Sequence, residues 1–213
     1  WKIILRRGNF HRTTGTLGET TLNQKRSTAN DHYQPLSIYM NIPTVAELAQ
    51  QNEKPEILFW VGCAGSYDSR AQRITRALAA ILHKARIRFA ILGKEELCTG
   101  DPARRSGNEY LFQMLAQQNI QTLNQYGINK IVTACPHCFN TLSNEYPELG
   151  GQYTVIHHTT LIQQLIEEGR IVLKEGGSFK GKRITYHDSC YLGRANGLPE
   201  MYDWVKPVPF SID

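Results

Sequence analysis

Asn129-Lys-Ile-Val-Thr-Ala-Cys135-Pro-His-Cys138 joins an apolar run directly to a pair of thiols. Ile131-Val132-Thr133-Ala134 reads as a short buried strand. Pro136 suits the first turn of a helix, where its missing N–H costs nothing. Cys135 then falls at the helix N-cap, where the positive end of the helix dipole favours a thiolate. Two thiols at this spacing can grip a metal or form a redox disulfide. The rest of the chain has to decide between them.

Upstream, the same strand-then-cysteine pattern recurs. Thr44 caps a short helix through Val45-Ala-Glu-Leu-Ala-Gln, and Glu47 completes a capping box. Pro55 stops that helix, and Ile57-Leu-Phe-Trp-Val61 is an apolar strand running into Gly62-Cys63-Ala-Gly65. Residues 70–87 have helical spacing, with Ile74, Leu78, Ile81, Leu82 and Ala85 on one face. Phe89-Ala-Ile-Leu92 is the next strand, followed by a loop carrying Cys98-Thr-Gly100-Asp-Pro102. A helix over 108–126 turns Leu111, Phe112, Leu115, Ile120 and Leu123 inward and stops at Gly127.

Downstream of the Cys-Pro-His-Cys turn, a helix from Phe139 to Tyr146 ends at Pro147. Tyr153-Thr-Val-Ile156 is a strand, and Thr160 to Glu168 a helix. The alternation predicts an α/β fold: a Rossmann-like parallel sheet with crossover helices. Sites in such sheets form at the carboxyl edge of the strands. Cys63, Cys98, Cys135 and Cys138 all follow strands, so all four thiols are expected at that edge. The glycines flanking Cys63 give its loop freedom to wrap a cofactor, but they lack the spacing of a dinucleotide fingerprint.

Ile57-Leu-Phe-Trp-Val-Gly-Cys63 is echoed by Ile184-Thr-Tyr-His-Asp-Ser-Cys190. The echo predicts a second domain built like the first. The expected organisation is a leader over 1–39, a cysteine-rich α/β domain over 40–177, and the opening of its second copy over 178–213. The leader is rich in Thr, Asn, Arg and Gly, and it begins on Trp1. Its reading is upstream or artificial sequence ahead of a start at Met40, with an Arg- and Thr-rich transit peptide as the alternative.

Of the 213 residues, 41% are hydrophobic and 20% charged, ordinary values for a globular protein that buries a core. The net charge of +5 invites a nucleic-acid reading. Residues 1–39, however, hold six Lys/Arg against two acids, and the remainder holds 18 against 17. The body is nearly neutral and pairs no basic stripe with aromatics, so nucleic acid is not an expected partner. No apolar run nears the roughly 20 residues that span a bilayer. Five cysteines are too few for a disulfide scaffold, which points to a reduced, cytoplasmic compartment.

Cys63, Cys98-Thr-Gly and Cys135-Pro-His-Cys138, with Cys190 opening another round, resemble the tandem cysteine-rich "CCG" domain family. That family includes a cysteine-rich component of heterodisulfide reductase and the iron–sulfur subunits of glycolate oxidase and anaerobic glycerol-3-phosphate dehydrogenase. Phe59-Trp-Val-Gly-Cys-Ala-Gly-Ser66, the stretch 98–109 and His187-Asp-Ser-Cys-Tyr-Leu-Gly-Arg194 are similar to its bacterial members. The resemblance covers roughly residues 40–197. It implies a 4Fe–4S cluster, often non-cubane, and electron transfer with flavin- or ferredoxin-type redox subunits.

Two departures narrow this. The family's double cysteine stands here as Cys98-Thr99, leaving four thiolates in this half, enough for a cubane cluster or a Cys₄ zinc. The second half offers only Cys190, which by itself holds no cluster. The expected cofactor ligands are therefore Cys63, Cys98, Cys135 and Cys138, with Cys190 as a metal ligand of the next site. A structural-zinc docking scaffold and a Cys-x-x-Cys thiol–disulfide oxidoreductase stand as alternatives. His137 is read as a partly exposed filler that can hydrogen-bond toward the site. His157, His158 and His187 are read as satisfied structural groups. Arg104-Arg105 is read as a solvated helix start rather than a partner-binding pair.

Overall fold

The structure, a computed structural model, describes residues 42–173 and 189–197. The leader over 1–39, the strand expected from Ile184 to Asp188, and the proline-rich end lie outside the described residues.

Four strands form one all-parallel sheet: β1 (Ile57–Trp60), β2 (Phe89–Ala90), β3 (Lys130–Thr133) and β4 (Thr154–His157). Their order across the sheet is β2-β1-β3-β4. The α/β expectation from the alternating pattern holds. All four residues of β1 are buried, as an uninterrupted apolar run must be when helices cover both faces of a parallel sheet.

The helices are α1 (Val45–Gln50), α2 (Gly62–Tyr67), α3 (Ser69–Lys84), α4 (Asp101–Arg105), α5 (Glu109–Gln125), α6 (Pro136–Asn140) and α7 (His158–Glu167). The Thr44 capping box is formed: Glu47 N–H donates to Thr44 Oγ1 at 3.2 Å, and Thr44 N–H to Glu47 Oε2 at 2.8 Å. The core gathers Leu58 and Trp60 of β1, Phe112, Ala116 and Leu123 of α5, and Ile131 of β3. At about 25 cal/mol per Å² of apolar area, these large side chains supply most of the driving force for folding.

Several local expectations shift. β2 is cut to two residues because Ile91 leaves the ladder and bridges to Thr44; Val45 N–H donates to Ile91 O at 2.9 Å. Gly62–Gly65 is not a loop but the first turn of α2. The face of α3 turned inward is Thr75, Leu78, Ala79 and Leu82, leaving Ile74 50% exposed. On α5 the inward face is Phe112, Ala116, Asn119, Ile120 and Leu123, leaving Leu111 outside. The helix beginning at Pro136 passes into a π turn at Thr141–Glu145 and a 3₁₀ turn at Tyr146–Leu149, so Pro147 lies inside that turn rather than ending a helix. No helix among the described residues is long and apolar enough to cross a membrane.

Candidate metal centre

With the order β2-β1-β3-β4, the connections leave β1 on one side and β3 on the other. The crevice outside the carboxyl ends of β1 and β3 is therefore the topological switch point of the sheet. Cys63 lies on α2 directly after β1, and Cys135 and Cys138 lie on the turn directly after β3. Cys98 reaches the same place from the longer connection after β2.

All five described cysteines are free thiols. Cys135 caps α6 and Pro136 is its first residue, as the sequence predicts. Cys135 is held down to about 6 by the hydrogen bond from the Cys138 thiol, with the His137 and Cys138 backbone N–H groups also facing its sulfur. Cys138 is buried and its thiol is pushed up, first by that hydrogen bond to Cys135 and then by desolvation. Cys63 hydrogen-bonds Cys98, whose thiol is also pushed up, chiefly by burial.

The thiols thus form two pairs, Cys63 with Cys98 and Cys135 with Cys138, and short links join the pairs. A β-carbon built on Gly62 would come within 3.3 Å of Cys138 Sγ. Gly62 has φ +75°, a left-handed conformation that glycine adopts without cost, and its bare Cα makes the cradle for that sulfur. The Thr99 side chain hydrogen-bonds Cys138. The position where the related sequences carry a second thiol is here a hydroxyl residue only 2% exposed.

Among the described residues, no three His, Cys, Asp or Glu side chains are gathered tightly enough for a single metal ion. A tetrahedral zinc draws four sulfurs to about 2.3 Å from one centre. Two joined pairs spread over three strand ends fit instead a cluster of several irons, each taking a thiolate. A lone Cys-x-x-Cys with one depressed thiol also suits disulfide exchange. Here a second thiol pair stands beside it.

Sequence reasoning missed most of the surrounding polar groups. Glu96 accepts N–H bonds from Gly62 at 2.6 Å and from Val61 at 3.1 Å, pinning the start of α2. Burial pushes its carboxyl up to about 7, against the pull of those two donors. Asp101, 4% exposed, accepts from Arg105 Nε at 3.2 Å and pairs with His137 Nδ1 at 2.9 Å. His137 is therefore held toward the site, and its ring lies 4.3 Å from that of Tyr191. The Arg104-Arg105 pair is not freely solvated: Arg104 meets Glu109, Glu145 and Glu148, and Arg105 meets Asp101 and Glu145. His157 and His158 are satisfied groups as expected, with His157 Nδ1 2.7 Å from Thr159 Oγ1 and its Nε2 3.2 Å from His158 Nδ1. His187 lies outside the described residues.

Cys190 is exposed and opens a π turn, Cys190–Arg194. It does not join the four thiols; its segment is tied to α6 by Tyr191 on His137 and by Asn196 Nδ2 donating to Asn140 Oδ1 at 3.1 Å.

Comparison with known proteins now gives this geometry a class. Residues 57–143 match the cysteine-rich domain family CCG, and the chain carries a domain of that family. It is 46% identical over 161 residues to an EtfAB:quinone oxidoreductase of Syntrophomonas wolfei, covering 76% of this chain and 22% of that protein. It is 45% identical over 167 residues to a probable iron-sulfur-binding oxidoreductase of Bacillus subtilis, covering 78% and 23%. A component of the dihydromethanophenazine:CoB–CoM heterodisulfide reductase of Methanosarcina barkeri is 34% identical over 152 residues, covering 68% and 36%. The chain spans about a quarter of the length of the first two relatives. No solved structure matches it significantly.

Proposed function

We propose that this chain is the iron–sulfur module of an electron-transfer oxidoreductase of the heterodisulfide-reductase type, with Cys63, Cys98, Cys135 and Cys138 as ligands of one 4Fe–4S cluster. The observation that carries this reading is the meeting of two thiol pairs at the switch point of a CCG-family sheet. The names of its relatives as iron-sulfur oxidoreductases support the choice of metal. When bound, such a cluster accepts and donates single electrons.

The chain's own residues set the conditions. The N–H groups at the start of α6 hold Cys135 as an anion, and the Thr99 hydroxyl bonds the sulfur of Cys138. Donors of this kind favour the more negative, reduced state and raise the potential. Cys138 is packed against Leu58, Trp60 and Leu142, which keep water from the inner side. Cys63 is exposed, so electrons enter and leave on the side of α2. A flavin- or ferredoxin-type redox subunit docks there, in the cytoplasm, and neither nucleic acid nor a bilayer is a partner. Cys190 opens the site of a second copy, and Tyr191 ties that copy to α6.

Anaerobic expression followed by iron, sulfide and zinc analysis and EPR tests this. Iron and acid-labile sulfide in equal amounts, with a brown chromophore bleached by reduction, is the expected result. Colourless protein with stoichiometric zinc overturns the cluster. A Cys135→Ser variant with undiminished iron overturns the ligand set.

A further inference from the structure

Asn119 and Tyr146 are fully buried polar side chains in the middle of the core. Neither carries the cluster chemistry, and neither stands out in the helical pattern of its segment. A buried amide or hydroxyl without a partner costs roughly 1–3 kcal/mol, so what each bonds is informative.

Asn119 Oδ1 accepts the N–H of Leu97 at 3.2 Å, and its Nδ2 donates to the carbonyl of Cys98 at 3.0 Å. The same Nδ2 donates to Tyr146 Oη at 3.0 Å. Tyr146 Oη in turn donates to the carbonyl of Thr99 at 3.2 Å. Three consecutive backbone units, Leu97, Cys98 and Thr99, are thereby held by two side chains. These backbone units belong to no helix or strand that could fix them otherwise.

The two side chains come from different parts of the fold. Asn119 is on α5, while Tyr146 follows α6 through the π turn that begins three residues after Cys138. The ring of Tyr146 thus ties the Cys98-Thr99 turn to the polypeptide that carries Cys135 and Cys138. The turn places both Cys98, bonded to Cys63, and Thr99, whose side chain bonds Cys138.

We propose that Asn119 and Tyr146 are positioning residues for the cysteine site, locking the Leu97–Thr99 turn against the segment that follows Cys138 so that the two thiol pairs keep their separation. The inference rests on the four-thiolate cluster reading and adds to it residues distant from the thiols in sequence. Tyr153 provides the control. Its hydroxyl donates to Asn124 Oδ1 at 3.0 Å and Ile120 O at 3.4 Å, in the same domain but on the far part of α5 and not on the cysteine turn.

The test uses the full chain, reconstituted anaerobically with iron and sulfide, as wild type, Tyr146→Phe, Asn119→Leu and Tyr153→Phe. Removing a supporting partner of a metal ligand typically costs 10–100-fold in metal affinity. Tyr146→Phe keeps the ring in the core, and its iron should pass to a chelator about 10-fold faster or more, with displaced EPR line positions in the reduced state. Asn119→Leu should act in the same direction, and Tyr153→Phe should leave both release and line positions at wild-type values. If Tyr146→Phe is folded and matches wild type in release rate and spectrum, the positioning role is wrong, even where Asn119→Leu fails to fold. Equal changes in Tyr153→Phe reduce the effect to general stability and also overturn it. Wild type that takes up no iron overturns the cluster reading and this inference together, whereas iron bound equally by all variants overturns this inference alone.

Discussion

Gly62 carries two demands at one residue. Its φ is +75°, and an added β-carbon would lie 3.3 Å from Cys138 Sγ. The left-handed conformation costs an ordinary residue roughly 1–2 kcal/mol, before any displacement of the sulfur is counted. Gly62→Ala should therefore lower the unfolding free energy of the iron-free protein by about 1–2 kcal/mol in urea titration. It should also reduce iron uptake, because the shifted sulfur is a ligand. Unchanged midpoint and uptake would show that the cradle is slack. His157 makes a different residue-level prediction. Burial, with His158 beside it, lowers its imidazole from 6.5 to about 3. The unfolded chain then binds a proton that the folded chain refuses between those values. Stability rises as pH climbs from about 3 to 6.5 and is flat above, so it is lost as pH falls below 6.5. In that window the wild type should lose on the order of 1 kcal/mol per pH unit more than His157→Gln. Parallel stability curves for the two would count against a neutral buried His157.

At the scale of elements, α1 is short and is held by its ends. The Thr44–Glu47 capping box satisfies two N–H groups at its start, and Thr44 also bridges to Ile91 beside β2. Removing a cap hydroxyl typically costs about 1 kcal/mol, so Thr44→Ala should lower the urea midpoint by that equivalent. Glu47→Ala should cost less on the Thr44→Ala background than alone, and full additivity would break the box. This box is legible in the sequence because all its parts lie within four residues. The Cys135 cap and the Pro136 start of α6 are legible for the same reason. Elements whose shape depends on distant partners are not. Ile91 reads as part of a longer β2 because only the fold brings Thr44 to it. Asn119 is polar in a helical stretch and so reads as solvent-facing. Its burial is explained only by Leu97, Cys98 and Tyr146, more than 20 residues away. Ile74 and Leu111 read as inward because an apolar period tolerates a rotation that only the packed sheet decides.

At the scale of the molecule, the βα alternation already implies a parallel sheet and thiols at its carboxyl edge. It does not supply the order β2-β1-β3-β4, which puts the loops of Cys63 and Cys135 on either side of one crevice. That order also divides the stability of the domain into two parts. The core of Leu58, Trp60, Phe112, Leu123 and Ile131 lies within the sheet and under α5, and none of these side chains needs a metal to be buried. The cysteine turns, by contrast, sit outside the strand ends and are joined across the crevice by their sulfurs. A cluster bound only by the folded state stabilises it by mass action and clips three separate connections together. Iron removal should therefore lower the melting temperature without unfolding the chain. Amide exchange should then rise at 61–67, 96–100 and 135–138 while β1 and β3 stay protected. Exchange that becomes fast throughout β1 and β3 on chelation would mean that the metal, and not the sheet, holds this domain together. Protection unchanged at the three cysteine turns would mean that iron was never bound to them.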